Sequence, residues 1–159
     1  MAIKQKIMLD VGCSTNKQHG FIGMDKRKVE GVDIEHDAET IPWPLENGSC
    51  AVVMMSHLIE HIKPWCQIEV INEVWRVLEP EGVLMISTPY GRSYRYFQDP
   101  THCTPWVEAT PEYFDPQFPL YQVYQPKPWT IEKRYWDLRG DIELVLRKID
   151  DKTKQNKMA

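Results

Sequence analysis

Near the middle of the chain, His57, Glu60 and His61 stand at i, i+3 and i+4. If that segment is helical, two imidazoles and a carboxylate project from one face, within reach of a single ion. A separate histidine, His102, lies further on in Asp99-Pro100-Thr101-His102-Cys103-Thr104-Pro105-Trp106. Mixed imidazole and carboxylate donors suit several divalent metals. Without a metal, the same residues offer His57 or His102 as a general base, or they simply pack and cap between helix and sheet. All three readings are open at this level.

The elements that must position these groups begin with Ile7-Met8-Leu9-Asp10-Val11-Gly12-Cys13-Ser14, an apolar run ending in an acid, a glycine and two small residues. It reads as a buried strand breaking into a tight loop, where Gly12 lets the backbone approach a ligand. Loops at the carboxyl ends of strands bind ligands in open α/β sheets. The dinucleotide fingerprint Gly-x-Gly-x-x-Gly is not present, because Ser14 takes the place of the second glycine. Phe21 to Asp25 is a second short strand, separated from the first by too few residues for a full crossover helix. Val32-Asp33-Ile34 leads into His36-Asp37-Ala38-Glu39, a third strand and its loop.

Ala51 to Met55 is a continuous apolar run, expected as a central strand, and Ser56 is placed to cap a following helix. Lys63-Pro64 interrupts that helix. A stronger helix is expected from Trp65 to Leu78, with Ile68, Ile71, Val74, Trp75 and Leu78 as its apolar stripe and Pro80-Glu81-Gly82 ending it. Val83 to Ser87 is the next buried strand, stopped by Thr88-Pro89. Eight of the twelve prolines fall between Pro89 and Trp136 together with most of the aromatics, which marks an ordered, loop-rich insertion. It is expected on the substrate side. Trp129–Tyr135 and Asp141–Lys148 read as a closing hairpin through Leu138-Arg139-Gly140. A single domain over 1–150 is expected, with 89–128 as the insertion and 151–159 as a frayed polar tail.

The chain has 159 residues and a net charge of −4, which gives no general attraction for nucleic acid. No apolar run approaches the ~20 residues of a membrane span, and no secretory signal is expected before the first strand. Cys13, Cys50, Cys66 and Cys103 form no Cys-x-x-Cys pair, which fits free thiols and a cytoplasmic location.

Taken in order, Leu9-Asp10-Val11-Gly12-Cys13, Ile22-Gly23-Met24-Asp25, His36-Asp37-Ala38-Glu39, Ser56-His57-Leu58-Ile59-Glu60-His61 and Trp75-Arg76-Val77-Leu78-Glu79-Pro80-Glu81-Gly82 resemble class I S-adenosylmethionine-dependent methyltransferases of the type 11 kind. The resemblance implies a Rossmann-like α/β fold with a seven-stranded, mostly parallel sheet and a reduced first helix. It also implies that Asp10, Gly12 and Cys13 cradle the methionine part of the cofactor, while Asp25 accepts from the ribose hydroxyls. Asp37 and the Ala38 N–H would then meet the adenine, and Ser56 would border the site.

A looser similarity, to the metal-dependent small-RNA 2′-O-methyltransferases, rests on Glu60, His61 and the segment from Asp99 to Phe114, with His57 where those enzymes carry glutamate. It implies that His57, Glu60, His61 and His102 ligate Mg²⁺ or Mn²⁺ and activate a hydroxyl. The acceptor is then an oxygen of a small molecule, a sugar or a nucleic-acid end, with no membrane partner. The sequence does not fix oligomeric state. Two rival functions are a non-catalytic cofactor-binding or interaction module, and a metal hydrolase built on the His-x-x-Glu-His string. The hydrolase would need that string embedded in a long helix with a further ligand.

Overall fold

A computed structural model of the chain describes residues 6–136 and 140–150. Strands β1 (Ile7–Val11), β2 (Ile22–Asp25), β3 (Ile34–Glu35), β4 (Cys50–Ser56), β5 (Leu78–Pro89), β6 (Trp129–Trp136) and β7 (Asp141–Lys148) form one sheet in the order β3-β2-β1-β4-β5-β7-β6. β1 to β5 are mutually parallel, and β7 runs antiparallel to both its neighbours. This is the Rossmann-like sheet that the ordered motifs imply. The strand order reverses between β1 and β4, so the carboxyl ends of these two strands open the crevice where such sheets take ligands.

Between β1 and β2 the expected reduced first helix is a run of turns. Helix α1 spans Gln67–Val77, with a single 3-10 turn at Pro64–Cys66 before it. It begins two residues later than the pattern suggests and ends one earlier, because Leu78 is already extended and starts β5. The buried stripe is Val70, Ile71, Val74 and Val77, so Ile68 and Trp75 sit at its margin rather than on it. β5 is also longer than expected: it takes in Pro80-Glu81-Gly82, with a register shift opposite Cys50 to Val52, and continues through Pro89. Ser56 caps nothing. The segment after β4 is only a 3-10 turn over Ile59–His61 with no side-chain cap.

One face of the sheet, carrying Leu9, Val53, Met55, Leu84, Ile86, Leu144 and Leu146, joins the buried face of α1 in the main core. The 89–128 stretch contributes to this core, since Trp106 and Phe114 are buried and stack at 6.1 Å. Its short helices α2 (Tyr94–Phe97) and α3 (Tyr121–Tyr124) lie outside, with Tyr94 and Phe97 largely exposed. The hairpin expectation holds in the β6–β7 pairing, although Leu138 and Arg139 lie outside the described residues, as does the 151–159 tail.

Glu73 ties α1 to the irregular 38–48 segment. Its Oε1 accepts from the Trp43 N–H at 2.6 Å and from Arg76 Nη2 at 2.5 Å, and Oε2 accepts from Arg76 Nε at 2.9 Å. Burial pushes this carboxyl up, but Arg76 and the Trp43 amide outweigh it and hold the group below its ordinary 4.5. Glu73→Gln is therefore expected to lower stability near pH 7 by ~1–3 kcal/mol. Because the folded carboxyl titrates below the unfolded one, its contribution is complete above the ordinary value and lost as pH falls through the folded value. Denaturation across the acid range should show a shallower pH slope for the variant. Parallel curves would refute this role.

Candidate functional site

At the reversal point, the loop after β1 is shaped by two backbone positions in the left-handed region. Gly12 has φ +74°, and a Cβ there would come within 2.9 Å of Leu58 Cδ1. Ser14 has φ 49°, a conformation that costs a side chain more than it costs glycine. Two strand-end carboxylates hold the loop in place. Asp25 Oδ2 accepts from the Ser14 N–H at 2.9 Å, and Asp10 Oδ2 accepts from the Gln18 N–H at 2.8 Å.

These turns leave a cavity of about 890 Å³ whose walls include Asp10, Gly12, Cys13, Asp25, Asp37, Ala38 and Ser56. All seven residues expected at a cofactor site thus face one space. Burial pushes the Asp10 carboxyl up against the pull of the Gln18 amide and Lys17. Burial, with Asp10 and Asp25 alongside, also pushes the Cys13 thiol up, so Cys13 is a neutral packing group rather than a nucleophile. For Asp25, burial is outweighed by the Arg27 side chain and amide and by the Ser14 amide, which together hold it low and ionised.

Asp25 accepts three N–H groups, from Ser14, from the Arg27 backbone and from Arg27 Nε. A carboxylate has about four acceptor directions. One direction stays vacant, and Arg27, 58 % exposed, can surrender a second. That is enough for a pair of vicinal hydroxyls. Asp37 is exposed and turned by the Glu39 N–H at 2.9 Å, while the Ala38 N–H has no partner among the described residues.

Beyond the wall formed by Ser56, His57 and His61, the chemistry centres on Glu60, which is 0 % exposed. Its Oε2 accepts from Thr88 Oγ1 at 3.0 Å, and its buried Oε1 has no hydrogen-bond partner. Two imidazoles approach Oε1, His57 Nδ1 at 3.4 Å and His102 Nε2 at 4.0 Å. One ligand atom each from Glu60, His61 and His102 lies within 4.8 Å of the others.

Neighbouring groups fix both imidazoles. A carbonyl can only accept, so the 2.7 Å contact of His102 Nδ1 with the Tyr96 O places a proton on Nδ1 and turns Nε2 towards Glu60. Thr101 Oγ1 donates its single proton to Asp99 Oδ1 at 2.7 Å and therefore accepts from His61 Nδ1 at 3.1 Å. His61 Nε2 is left as the free nitrogen. Outer partners of this kind orient metal-binding histidines.

The four candidate ligands are thus not equivalent in space. His57 lies upstream of the 3-10 turn at φ 51°, so His57, Glu60 and His61 do not share a helical face. It stands half-exposed with Nδ1 3.4 Å from Glu60 Oε1, and the carboxylate beside it raises its pKa in spite of partial burial. Thr88, Asp99, Thr101 and the Tyr96 carbonyl complete the site without having been singled out by sequence. For two of them a signal existed: Asp-x-Thr before a histidine is an Asx turn that aims a hydroxyl at its neighbours.

A methyltransferase domain model matches residues 9–86. A probable S-adenosylmethionine-dependent methyltransferase of Mycolicibacterium smegmatis is 41% identical over 58 residues, which are 36% of this chain and 21% of that protein. The chain therefore spans about a fifth of that relative's length. Among solved structures, an S-adenosylmethionine-dependent methyltransferase from Archaeoglobus fulgidus superposes with a TM-score of 0.67 at 17% identity, covering 90% of this chain and 86% of its own. A putative S-adenosylmethionine-dependent methyltransferase from Listeria monocytogenes gives 0.64 at 15%, covering 92% of each. These two likenesses establish the fold. These likenesses lend no support to the looser similarity to the small-RNA 2′-O-methyltransferases.

Gly12→Ala must meet both the positive φ and the Leu58 contact, and is expected to lower stability by ~1–3 kcal/mol. Ser14→Gly relieves a left-handed serine and is expected to raise it by up to ~1 kcal/mol. Thermal melts that move both variants in the same direction would contradict this account of the loop.

Proposed function

We propose that this chain is a class I S-adenosylmethionine-dependent methyltransferase that moves the methyl group of that cofactor onto an oxygen of its acceptor, a reading supported by the methyltransferase model over residues 9–86 and by the shared fold. We further propose that Glu60, His61 and His102 hold a divalent cation, Mg²⁺ or Mn²⁺, beside the reacting hydroxyl. The observation that carries the reading is the buried Glu60 Oε1, unpartnered and facing two oriented imidazoles at the edge of the cavity lined by Asp10 to Ser56.

The residues present fit both groups. For the cofactor, Gly12 leaves the space that a Cβ would fill, Asp25 keeps acceptor directions for ribose hydroxyls, and the Ala38 N–H and Asp37 can meet an adenine edge. For the ion, one carboxylate and two imidazoles form a donor set with an outer layer already in place. The cofactor supplies a methyl group on a cationic sulfur, and a bound cation lowers the pKa of an acceptor hydroxyl and orients it. Thr88 keeps Oε2 of Glu60 occupied so that Oε1 points inward. Asp99 and Thr101 hold the His61 proton on Nδ1, and the Tyr96 carbonyl does the same for His102.

His57 is the group placed to receive a proton on the cavity side. Its 3.4 Å approach to Glu60 supports a second, metal-free reading in which Glu60 raises the basicity of His57 and His57 alone removes the hydroxyl proton. The acceptor is an oxygen of a small molecule, a sugar or a nucleic-acid end. Arg95 is committed to Asp141 at 2.8 Å, which leaves Arg92 as the cation for any phosphate on that side. Among the described residues no helix is long and apolar enough to cross a membrane, and the four cysteines are unpaired, in keeping with a proposed cytoplasmic site.

Calorimetric titration of the metal-stripped chain with S-adenosylmethionine should show binding that Asp25→Ala weakens at least tenfold. Mn²⁺ should add heat that is lost in His61→Ala and Glu60→Gln and retained in His57→Ala. Absence of cofactor binding to the wild-type chain would overturn the reading. Mn²⁺ heat indifferent to His61→Ala would transfer it to the metal-free form.

A further inference from the structure

Among the described residues, the second face of the sheet lacks the cover that a parallel sheet needs. Strand register places Met8, Val52, Val83 and Arg147 in one row across β1, β4, β5 and β7, and Met54, Met85, Val145 and Lys133 in the next across β4, β5, β7 and β6. A third row holds Ser56, Ser87, Glu143 and Tyr135. Met8 is 38% exposed and Met85 41%, and Val52, Met54, Val83 and Val145 are all partly open.

Parallel strands are normally buried on both faces by crossover helices. Here the β1–β2 connection has no helix and runs along the β1 edge of this face, where Gln18 meets the Asp10 carboxylate and Gly20 passes beside the Met8 side chain. Three rows across five strands, at strand spacings of ~4.8 Å and row spacings of ~7 Å, project to roughly 500 Å². That is the order of one side of a standard protein interface, roughly 800 Å².

Glu143 and Arg147 flank the middle row, whose one charge, Lys133, is exposed at the outer end of that row on the edge strand β6, where it can turn to solvent rather than meet its own copy. Val145 lies midway between Glu143 and Arg147 on β7, and its register partner is Met85. A two-fold axis crossing the strands at the Met54–Met85–Val145 row exchanges the first and third rows. It sets Arg147 of one copy opposite Glu143 of the other, twice. Arg147 bonds to Glu132 and to the Glu81 O with three of its five N–H groups, so it is held on this surface with donors to spare. Glu143 is exposed. A closed two-fold interface requires each patch to present both halves of every contact. Methionines at the centre adapt to an identical neighbour.

We propose that a second copy of this chain packs on this face across that two-fold axis, burying the Met54–Met85–Val145 row and pairing Arg147 with Glu143 in both directions. The dimer rests on the sheet register and is independent of the methyl-transfer reading.

Sedimentation velocity of the full chain tests it. Wild type should sediment at micromolar concentration with twice the 18.7 kDa mass. Met85→Lys should weaken association at least tenfold while the circular dichroism spectrum stays native. Glu143→Lys and Arg147→Glu should each weaken it similarly alone, yet an equimolar mixture of the two should recover the dimer, because each mixed pair restores both opposite-charge contacts. A wild-type chain that stays monomeric would overturn the proposal. So would a dimer unaffected by Met85→Lys, or a mixture no tighter than its components.

Discussion

A carboxylate with no solvent exposure and one unsatisfied oxygen is costly to keep, and Glu60 is such a group. Much of the upper half of the molecule is arranged around that cost. Its backbone carbonyl accepts from the Cys103 and Thr104 N–H groups, which ties the 3-10 turn after β4 to the segment bearing His102. Gln67, at the start of α1, donates to the carbonyls of Ile59 and Ile62 and accepts from the Trp106 indole, locking the same turn from behind. A turn fastened on two sides fixes where Oε1 points, and the imidazoles meet it there. Rigid placement of a few polar groups in a dry setting is what lets a small site select an ion or a proton.

The connections that lack helices shape the rest of the protein. With only turns between β1 and β2, the loop at Gly12 and Ser14 takes its form from the strand-end carboxylates of Asp10 and Asp25. Those same carboxylates line the cavity, so loop geometry and ligand recognition depend on shared atoms. Among the described residues this leaves one face of the sheet open while the other is sealed by α1 and by Trp106 and Phe114 from the aromatic stretch.

How much of this is legible in sequence follows from the range of the forces involved. Apolar runs are local and mark all seven strands, and the ordered motifs, through the family they resemble, name seven of the residues that line the cavity. Helix α1 is legible too, but its buried stripe turns by one position, because Trp75 is drawn to the surface by the Pro128 and Ile149 carbonyls, far away in the chain. The histidine cluster is the sharpest contrast. Linear spacing groups His57 with Glu60 and His61, whereas the left-handed turn at His57 and the short 3-10 segment keep His57 beside Glu60 but outside the group that His102 forms with Glu60 and His61. Backbone conformation at one residue, decided by tertiary packing, changes which side chains meet. The Thr88 and Tyr96 contacts are equally long-range and leave no pattern to read.

The central claim is that a cofactor methyl group and an ion held by Glu60, His61 and His102 come together in one site. Paramagnetic relaxation of the S-methyl protons of bound S-adenosylmethionine by Mn²⁺ reports that proximity directly. Strong broadening with wild type, lost in His102→Ala although the cofactor remains bound, is the result this structure predicts. Cofactor that binds with sharp methyl resonances in saturating Mn²⁺, or broadening that persists in His102→Ala, would contradict it.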